Sequence, residues 1–254
     1  MSAHVSTRFA AVTVLDRDGR PHTTPVAAVC HGGRWWFTTS RRAAKVRFLR
    51  DRPVATIAVA NATGWLTTTG PAAVLDISDP GSLLRHAAHV VDAGPASLRL
   101  AGAYARDVAG YLTHLGDIPG AWAPHERVLV AVDPEFVEHS VPPDRRPTDA
   151  VACIVGASDG RRPMSLPGWF DGDAVGVGAP ARPIDPTAGV AVMSDNALLD
   201  DDPGRPTDQQ GLLVRADLDE DPDRRDGVWG VVARSMTTWR GFDTTTRRFR
   251  ANAA

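Results

Sequence analysis

Residues 9–39 read FAAVTVLDRDGRPHTTPVAAVCHGGRWWFTT, and residues 150–178 read AVACIVGASDGRRPMSLPGWFDGDAVGVG. Each stretch has the pattern of a strand, an Asp-Gly turn, a Pro-x-x-x-Pro strand, a second glycine turn and a third strand. Asp-Gly between β-rich runs is typical of a hairpin, because the glycine accommodates the positive φ that the turn requires. The matched positions are Asp18-Gly19 and Asp159-Gly160, Pro21 and Pro163, Pro25 and Pro167, and Gly32-Gly33 and Gly172. The chain is therefore predicted to contain two copies of one β-rich unit.

The repeat continues through three further pairs of apolar runs. They are VATIAVA (54–60) with AGVAVMS (188–194), WLTTTGPAAVL (65–75) with GLLVRADL (211–218), and RVLVAVDPEFVEH (127–139) with VWGVVARSMTTW (228–239). The pattern predicts a mainly β fold with added helices (α+β), built from two meanders of about six strands. We expect a first domain over residues 1–140 and a second, degenerate one over 150–254.

The first copy has helical patterns that the second lacks. SRRAAKVRFLRD (40–51) has the spacing of an amphipathic helix, whereas APARPIDPT (179–187), at the same place in copy two, has three prolines that exclude one. Asp79 and Pro80 are typical of a helix start, and that helix is predicted to run to about residue 92. Pro95 is predicted to open another helix, with apolar side chains recurring at helical spacing. Those side chains are Leu98, Ala101, Ala105, Val108 and Leu112.

Composition excludes several functional classes. The 254 residues carry a net charge of −2 with acids and bases interleaved, which argues against nucleic-acid binding. No apolar run reaches about 18 residues and the start lacks a signal-peptide pattern, so we expect a cytoplasmic protein with no membrane association. His86 and His89 could face one side of a predicted helix as metal ligands, but no acidic or thiol partner lies at matching spacing, so we expect no metal site. GASDG (156–160) matches G-x-S-x-G, yet the prolines that follow exclude the helix of a nucleophile elbow.

Lys45 is the only lysine among 28 lysine and arginine side chains, and it lies in the helix that only copy one has. A basic helix after a hydroxyl-rich strand end favours an anion, because helix amides, hydroxyls and the ammonium all act on negative charge. A solvated basic face with a lysine kept by chance is the alternative interpretation of the same residues.

In its order of motifs, copy one resembles the pyridoxamine 5′-phosphate oxidase-like FMN-binding split barrels. The resemblance covers residues 8–76 and extends more loosely to residue 140. The residues that carry it are Asp18-Gly19, Pro21, Pro25-Val26, Gly32-Gly33, Phe37-Thr38-Thr39, Lys45 and Asp51-Arg52-Pro53. The resemblance implies two divergent split β-barrel copies that form a pseudodimer within one chain.

The resemblance also implies a cofactor site. If the family's phosphate site is transferred to the matching positions of this sequence, Thr38, Thr39 and Ser40 would bind phosphate and ribityl oxygens. Arg42 and Lys45 would neutralise the phosphate. Copy two would cover the flavin ring through the segment SMTTWRGFDTTTRR (235–248). The further candidates for contact with the cofactor are Trp65, Thr67 and Trp239.

The implied function is a flavin-dependent oxidoreductase acting on a small molecule, with FMN as cofactor and a deazaflavin or haem as alternatives. The arginine-histidine substrate signature of the true oxidases is not recognisable, and no residue is identified as catalytic. The rival interpretation is a non-catalytic flavin- or haem-binding sensor on the same scaffold. Further self-association of the chain is left open.

Overall fold

The structure is a computed structural model, and it describes residues 9–104, 126–199, 209–219, 227–241 and 243–249. Among these residues, no helix is long and apolar enough to cross a membrane. The predicted helical positions Ala105, Val108 and Leu112 lie outside the described residues.

The first half of the chain forms a closed barrel of six strands with a seventh strand at its side. Its strands are β1 (Phe9–Leu15), β2 (Pro21–His31), β3 (Arg34–Ser40), β4 (Val54–Asn61), β5 (Gly64–Leu75), β6 (Arg127–Val132) and β7 (Phe136–Ser140). The barrel order is β4-β1-β2-β3-β6-β5, with β5 pairing back onto β4 and β7 pairing with the outer part of β5.

The second half repeats the connectivity of the six barrel strands. Its strands are β8 (Val151–Ser158), β9 (Pro163–Phe170), β10 (Ala174–Val177), β11 (Val190–Asp195), β12 (Gln210–Asp219), β13 (Val228–Arg240) and β14 (Asp243–Arg248). The order β10-β9-β8-β11-β12-β13 is closed by pairing of β13 with β10, and β14 pairs with β13. The predicted mainly β fold with two split-barrel copies is confirmed.

One strand differs in length between the barrels. The segment 127–139 was predicted to match 228–239, and in barrel one it is divided into β6 and β7 by residues 133–135. In barrel two the single strand β13 spans both parts, and a register shift between Arg215 and Ala216 of β12 absorbs the mismatch. A bulge of this kind lets one strand follow a curved sheet without breaking.

The two barrels pack through strands that are buried on both faces. In β1, Ala10, Val12 and Val14 belong to the core of barrel one, whereas Ala11 packs against barrel two. In β8, Val155 lies in the core of barrel two. The cluster between the barrels consists of Ala11, Ala58, Trp65, Ile154, Ala191, Met193, Leu198 and Leu213. Burial on both faces explains why these strands read as nearly continuous apolar runs.

Three helices lie where the first copy was predicted to add helices, with corrected boundaries: α1 (Ala44–Asp51), α2 (Pro80–Arg85) and α3 (Ala87–Ala103). A short α4 (Asn196–Leu199) lies in the second copy and was not predicted. In α2 the side chain of Asp79 accepts from Gly81 N, as its pattern predicted. The proline-rich stretch 178–189 of copy two contains only a 3-10 turn at Pro186–Ala188.

The prediction that Pro95 opens a helix was wrong, because Pro95 lies inside α3. Proline removes one helical hydrogen bond, here to the carbonyl of Val91. Val91 is 79% exposed, so that carbonyl lies on the solvent side of the helix. The buried face of α3 consists of Ala96 and Leu100, while Leu98 points outward.

Candidate anion-binding site

The connection from β3 to α1 closes one end of barrel one. Val46 and Leu49 of α1 are buried in the barrel core, which fixes the helix over the barrel end. Ala43 occupies the N-cap position and provides no side-chain acceptor to the first turn. Backbone N–H groups at such a helix start favour an anion.

Lys45 is the central residue of this barrel end. It is only 7% exposed, and its Nζ makes no hydrogen bond or ion pair with any described residue. Burial, followed by the charge of Arg127, lowers the pKa of the Lys45 ammonium to about 7. A buried ammonium without a counter-ion is costly, so this position fits an anion supplied by a ligand.

Arg127, which the sequence analysis did not single out, completes the cationic side of the site. It is the first residue of β6, the strand that pairs with β3. Its guanidinium donates from Nη2 to Thr38 O at 3.0 Å and from Nε to Thr38 Oγ1 at 3.3 Å. Because β6 follows β3 by almost ninety residues, only the strand order brings the two together.

The predicted hydroxyl residues lie here with different surroundings. Thr38 Oγ1 donates to Val128 O at 3.2 Å, so its proton is already used within the barrel. Thr39 is buried. Ser40 Oγ accepts from Arg42 N at 3.3 Å, which holds the turn into α1. Arg42 is directed towards solvent and forms an ion pair with Glu126 at 3.3 Å.

His22 of β2 is a second residue that the sequence analysis missed. It is buried, and its ring meets Phe48 of α1 edge to face, with the centroids 5.6 Å apart. Arg215 Nη2 of barrel two lies 2.8 Å from His22 Nδ1. Burial, and then the charges of Arg215 and Lys45, lower the His22 pKa to about 3. The imidazole is therefore neutral at physiological pH.

The predicted aromatic contacts lie at a different place. Trp65 belongs to the cluster between the barrels and Trp239 packs against that cluster, where Trp239 Nε1 donates to Asp195 Oδ2 at 2.8 Å. Trp65 of β5 pairs with Ala60 of β4, whereas β4 begins at Val54, beside the end of α1. Six residues of strand separate these levels by about 20 Å. The structure thus groups Thr38 to Lys45 at one end and the two tryptophans at the other.

The remaining predicted residue, Thr67, is buried between these levels. Its Oγ1 donates to Glu138 O at 3.3 Å, so it fastens β7 to β5. A cavity of about 150 Å³ lies near the tryptophan end, lined by Trp65, Trp169 and Cys153 among others. It is smaller than the roughly 300–1,000 Å³ of typical small-molecule pockets.

The two closed barrels have six strands each and share one connectivity. Among the described residues, only the first barrel has a basic helix over its end. This arrangement defines a tandem split-barrel protein whose first copy alone has the candidate anion site. Residues 5–99 match the family model described as pyridoxamine 5′-phosphate oxidase. The match lies within the first half of the chain, so copy one is similar to the pyridoxamine 5′-phosphate oxidase family.

Solved structures with a similar arrangement include proteins of several descriptions. An F420 reductase is 17% identical over 53% of this chain and 92% of its own, with a TM-score of 0.36. A pyridoxamine 5′-phosphate oxidase-related, FMN-binding protein from Nostoc punctiforme is 18% identical over 65% and 88%, with a TM-score of 0.36. The haem storage protein HutZ from Vibrio cholerae is 13% identical over 52% and 85%, with a TM-score of 0.37. No curated protein matches the chain.

Proposed function

We propose that this protein binds the phosphate of a flavin-type cofactor at the end of barrel one and uses it as an oxidoreductase on a small-molecule substrate. The observation that carries this proposal is the buried Lys45 ammonium, which has no counter-ion among the described residues. FMN is the cofactor we propose first, with a deazaflavin as the alternative of similar phosphate chemistry.

The residues around Lys45 suit a phosphate in two respects. Arg127 adds a second positive charge, and its fork is already oriented by Thr38. The turn at Ser40 leads directly into the uncapped first turn of α1, whose amides and dipole favour negative charge. A cofactor phosphate of about −1.5 to −2 charge would therefore offset the buried positive charge, by analogy with phosphorylated side chains.

When bound, a flavin supplies the redox chemistry itself, and the protein contributes binding and orientation. The role we assign to Lys45, Arg127 and the α1 amides is to hold the phosphate end. The family-model match over residues 5–99 favours a flavin over an unrelated anion. A cytoplasmic location and the identity of the substrate stay predictions.

The experiment is a pair of titrations, with FMN and with riboflavin, on the wild-type protein and Lys45→Ala. Loss of a charge-assisted hydrogen bond costs about 1.5–3 kcal/mol, so we expect FMN affinity to fall about 10- to 150-fold. Riboflavin lacks the phosphate and should bind both proteins equally well. Arg47→Ala, an exposed position on the same helix, is the matched control and should change neither affinity.

Equal losses for FMN and riboflavin would remove the phosphate role of Lys45. The visible spectrum of freshly purified protein provides an independent check. Flavin or deazaflavin absorbance supports the proposal, whereas a haem Soret band without flavin would instead favour a haem-binding protein on this scaffold.

A further inference from the structure

The contact between His22 and Arg215 determines which imidazole nitrogen carries the proton. A guanidinium has only donors, so Nδ1 of His22 must accept the 2.8 Å hydrogen bond from Arg215 Nη2. Because the imidazole is neutral, its single proton lies on Nε2. The second barrel therefore fixes the tautomer of a histidine in the first.

Among the described residues, the only hydrogen bond of the His22 ring is the one at Nδ1, so the Nε2–H group is left to donate to a ligand. It belongs to a ring that is packed against Phe48 of α1 and is close enough to Lys45 for the lysine charge to act on it. A neutral N–H donor adds a hydrogen bond to an anion without adding another buried charge.

The repeat shows that this arrangement exists at only one of two equivalent places. PHTTP at the start of β2 corresponds to PMSLP at the start of β9, so the counterpart of His22 is Met164. The same half that lacks the histidine also lacks the α1 helix and Lys45. His22 thus occurs only where the candidate anion site occurs.

The surroundings of Arg215 show why it can hold His22 from across the interface. Burial lowers the pKa of the Arg215 guanidinium, the charge of Asp16 in barrel one opposes this effect, and the charge of Arg248 of β14 adds to it. Arg20, also in barrel one, is paired with Asp217, two residues beyond Arg215 on β12. Arg215 therefore lies among charged residues of both barrels at their interface.

We propose that His22 Nε2–H donates to the bound phosphate and that Arg215 is the positioning residue that keeps this proton on Nε2. This inference rests on the proposed function. It makes the anion site a product of both barrels: barrel one supplies Lys45, Arg127 and the donor, and barrel two supplies the residue that sets the donor.

The test compares FMN and riboflavin titrations for wild type, His22→Met, Arg215→Gln and the control Arg234→Gln. Met is the residue that barrel two has at the position of His22, and Arg234 is a half-exposed arginine of β13 paired with Asp217. We expect His22→Met to weaken FMN binding about 10- to 150-fold, the range for one hydrogen bond to a charged group, and Arg215→Gln to weaken it by a smaller factor. Riboflavin binding should change less than about twofold.

A second measurement needs no cofactor. Nitrogen-15 NMR of the free protein should show His22 protonated on Nε2 in the wild type and a mixture of tautomers in Arg215→Gln, with Arg215→Lys restoring the wild-type state in part. If wild type binds FMN better than riboflavin but both variants do so equally well, the inference is overturned and the proposed function stands. If wild type itself does not distinguish the two ligands, the proposed function fails and the inference with it. A proton on Nδ1 would overturn the inference directly.

Discussion

Thr13 Oγ1 lies 2.7 Å from Ser165 Oγ, and these two buried residues belong to different barrels, 152 positions apart. Thr13 Oγ1 also meets Thr23 Oγ1 at 2.8 Å within barrel one. Thr23 and Ser165 are repeat counterparts at the third position of the two Pro-x-x-x-Pro strands. These hydroxyl groups hydrogen-bond to one another within an otherwise apolar interface. Because the side chains are small and paired, the backbones of the two barrels can approach closely.

That close approach makes Gly156 a sensitive position. Gly156 pairs with Ser165, and a Cβ added there would overlap Thr23 Oγ1 of barrel one. We expect Gly156→Ala to destabilise the protein by about 1–3 kcal/mol in urea unfolding, the usual cost of overpacking. Adding Thr23→Ala should recover part of the loss, because it removes the overlapping hydroxyl.

The control for this experiment is Gly102→Ala in α3. A Cβ at Gly102 has nothing within 4 Å, and alanine favours a helix over glycine, so stability should stay equal or rise by up to about 1 kcal/mol. An unchanged midpoint for Gly156→Ala would mean that the two barrel faces are not packed this closely in solution.

The pH dependence of cofactor binding tests the protonation of Lys45. Its pKa of about 7 in the free protein means that the ammonium loses its proton above neutral pH, although a phosphate binds the charged form. Binding above pH 7 must therefore take up a proton. We expect FMN affinity to fall between pH 7.5 and 8.5 by up to about tenfold, since phosphate is already largely dianionic there.

Lys45→Arg is the matched control, because a guanidinium stays charged throughout this range. FMN affinity of that variant, and riboflavin affinity of both proteins, should be nearly independent of pH.

The lowered pKa of Lys45 also affects folding, and there the pH dependence is the reverse of that of FMN binding. Between pH 7 and 10.5 the unfolded chain holds the Lys45 proton more tightly than the folded chain does. The Lys45 contribution to the stability of the free protein should thus become more favourable as pH rises through that window. An FMN affinity of the wild type that does not change with pH would contradict the lowered pKa of Lys45, on which both expectations rest.

Stoichiometry tests the difference between the barrels. Arg182 lies five residues after β10, as Lys45 lies five after β3, yet Arg182 has internal partners. Its Nη1 donates to Asp159 Oδ2 at 2.6 Å, and its Nε lies 3.5 Å from Glu138 Oε1 of barrel one. The protein's own carboxylates thus already neutralise the positive charge here. We expect one flavin per chain.

Heat-released flavin, set against protein concentration from amino-acid analysis, measures this ratio. Two per chain would show that barrel two binds by other means. A saturated ratio near one half would point to a site shared between chains.

The G-x-S-x-G match at Ser158 should have no nucleophilic role. Ser158 is 1% exposed at the end of β8, and its Oγ accepts from Gly160 N at 3.0 Å as part of the hairpin turn. A fluorophosphonate probe should leave the protein unlabelled, and Ser158→Ala should keep any measured activity within about twofold. Stoichiometric labelling at Ser158 would contradict both the fold and the functional interpretation.

The sequence by itself determined the repeat, the strand segments and the uniqueness of the Lys45 helix. These features are local: period-two burial, Asp-Gly turns and the prolines of 179–187 act within a few residues of themselves. The sequence could not predict that Pro95 lies within α3, because packing of Ala96 and Leu100 outweighs the local preference of proline.

The tertiary structure alone decided which distant residues share the candidate site. Arg127 meets Thr38 because β6 pairs with β3, and Arg215 meets His22 because two barrels pack face to face. Periodicity reports which face of a strand is buried, but it carries no information about which remote strand or barrel covers that face. The cationic surroundings of Lys45 therefore follow from strand order and barrel packing, and no local pattern in the sequence encodes them.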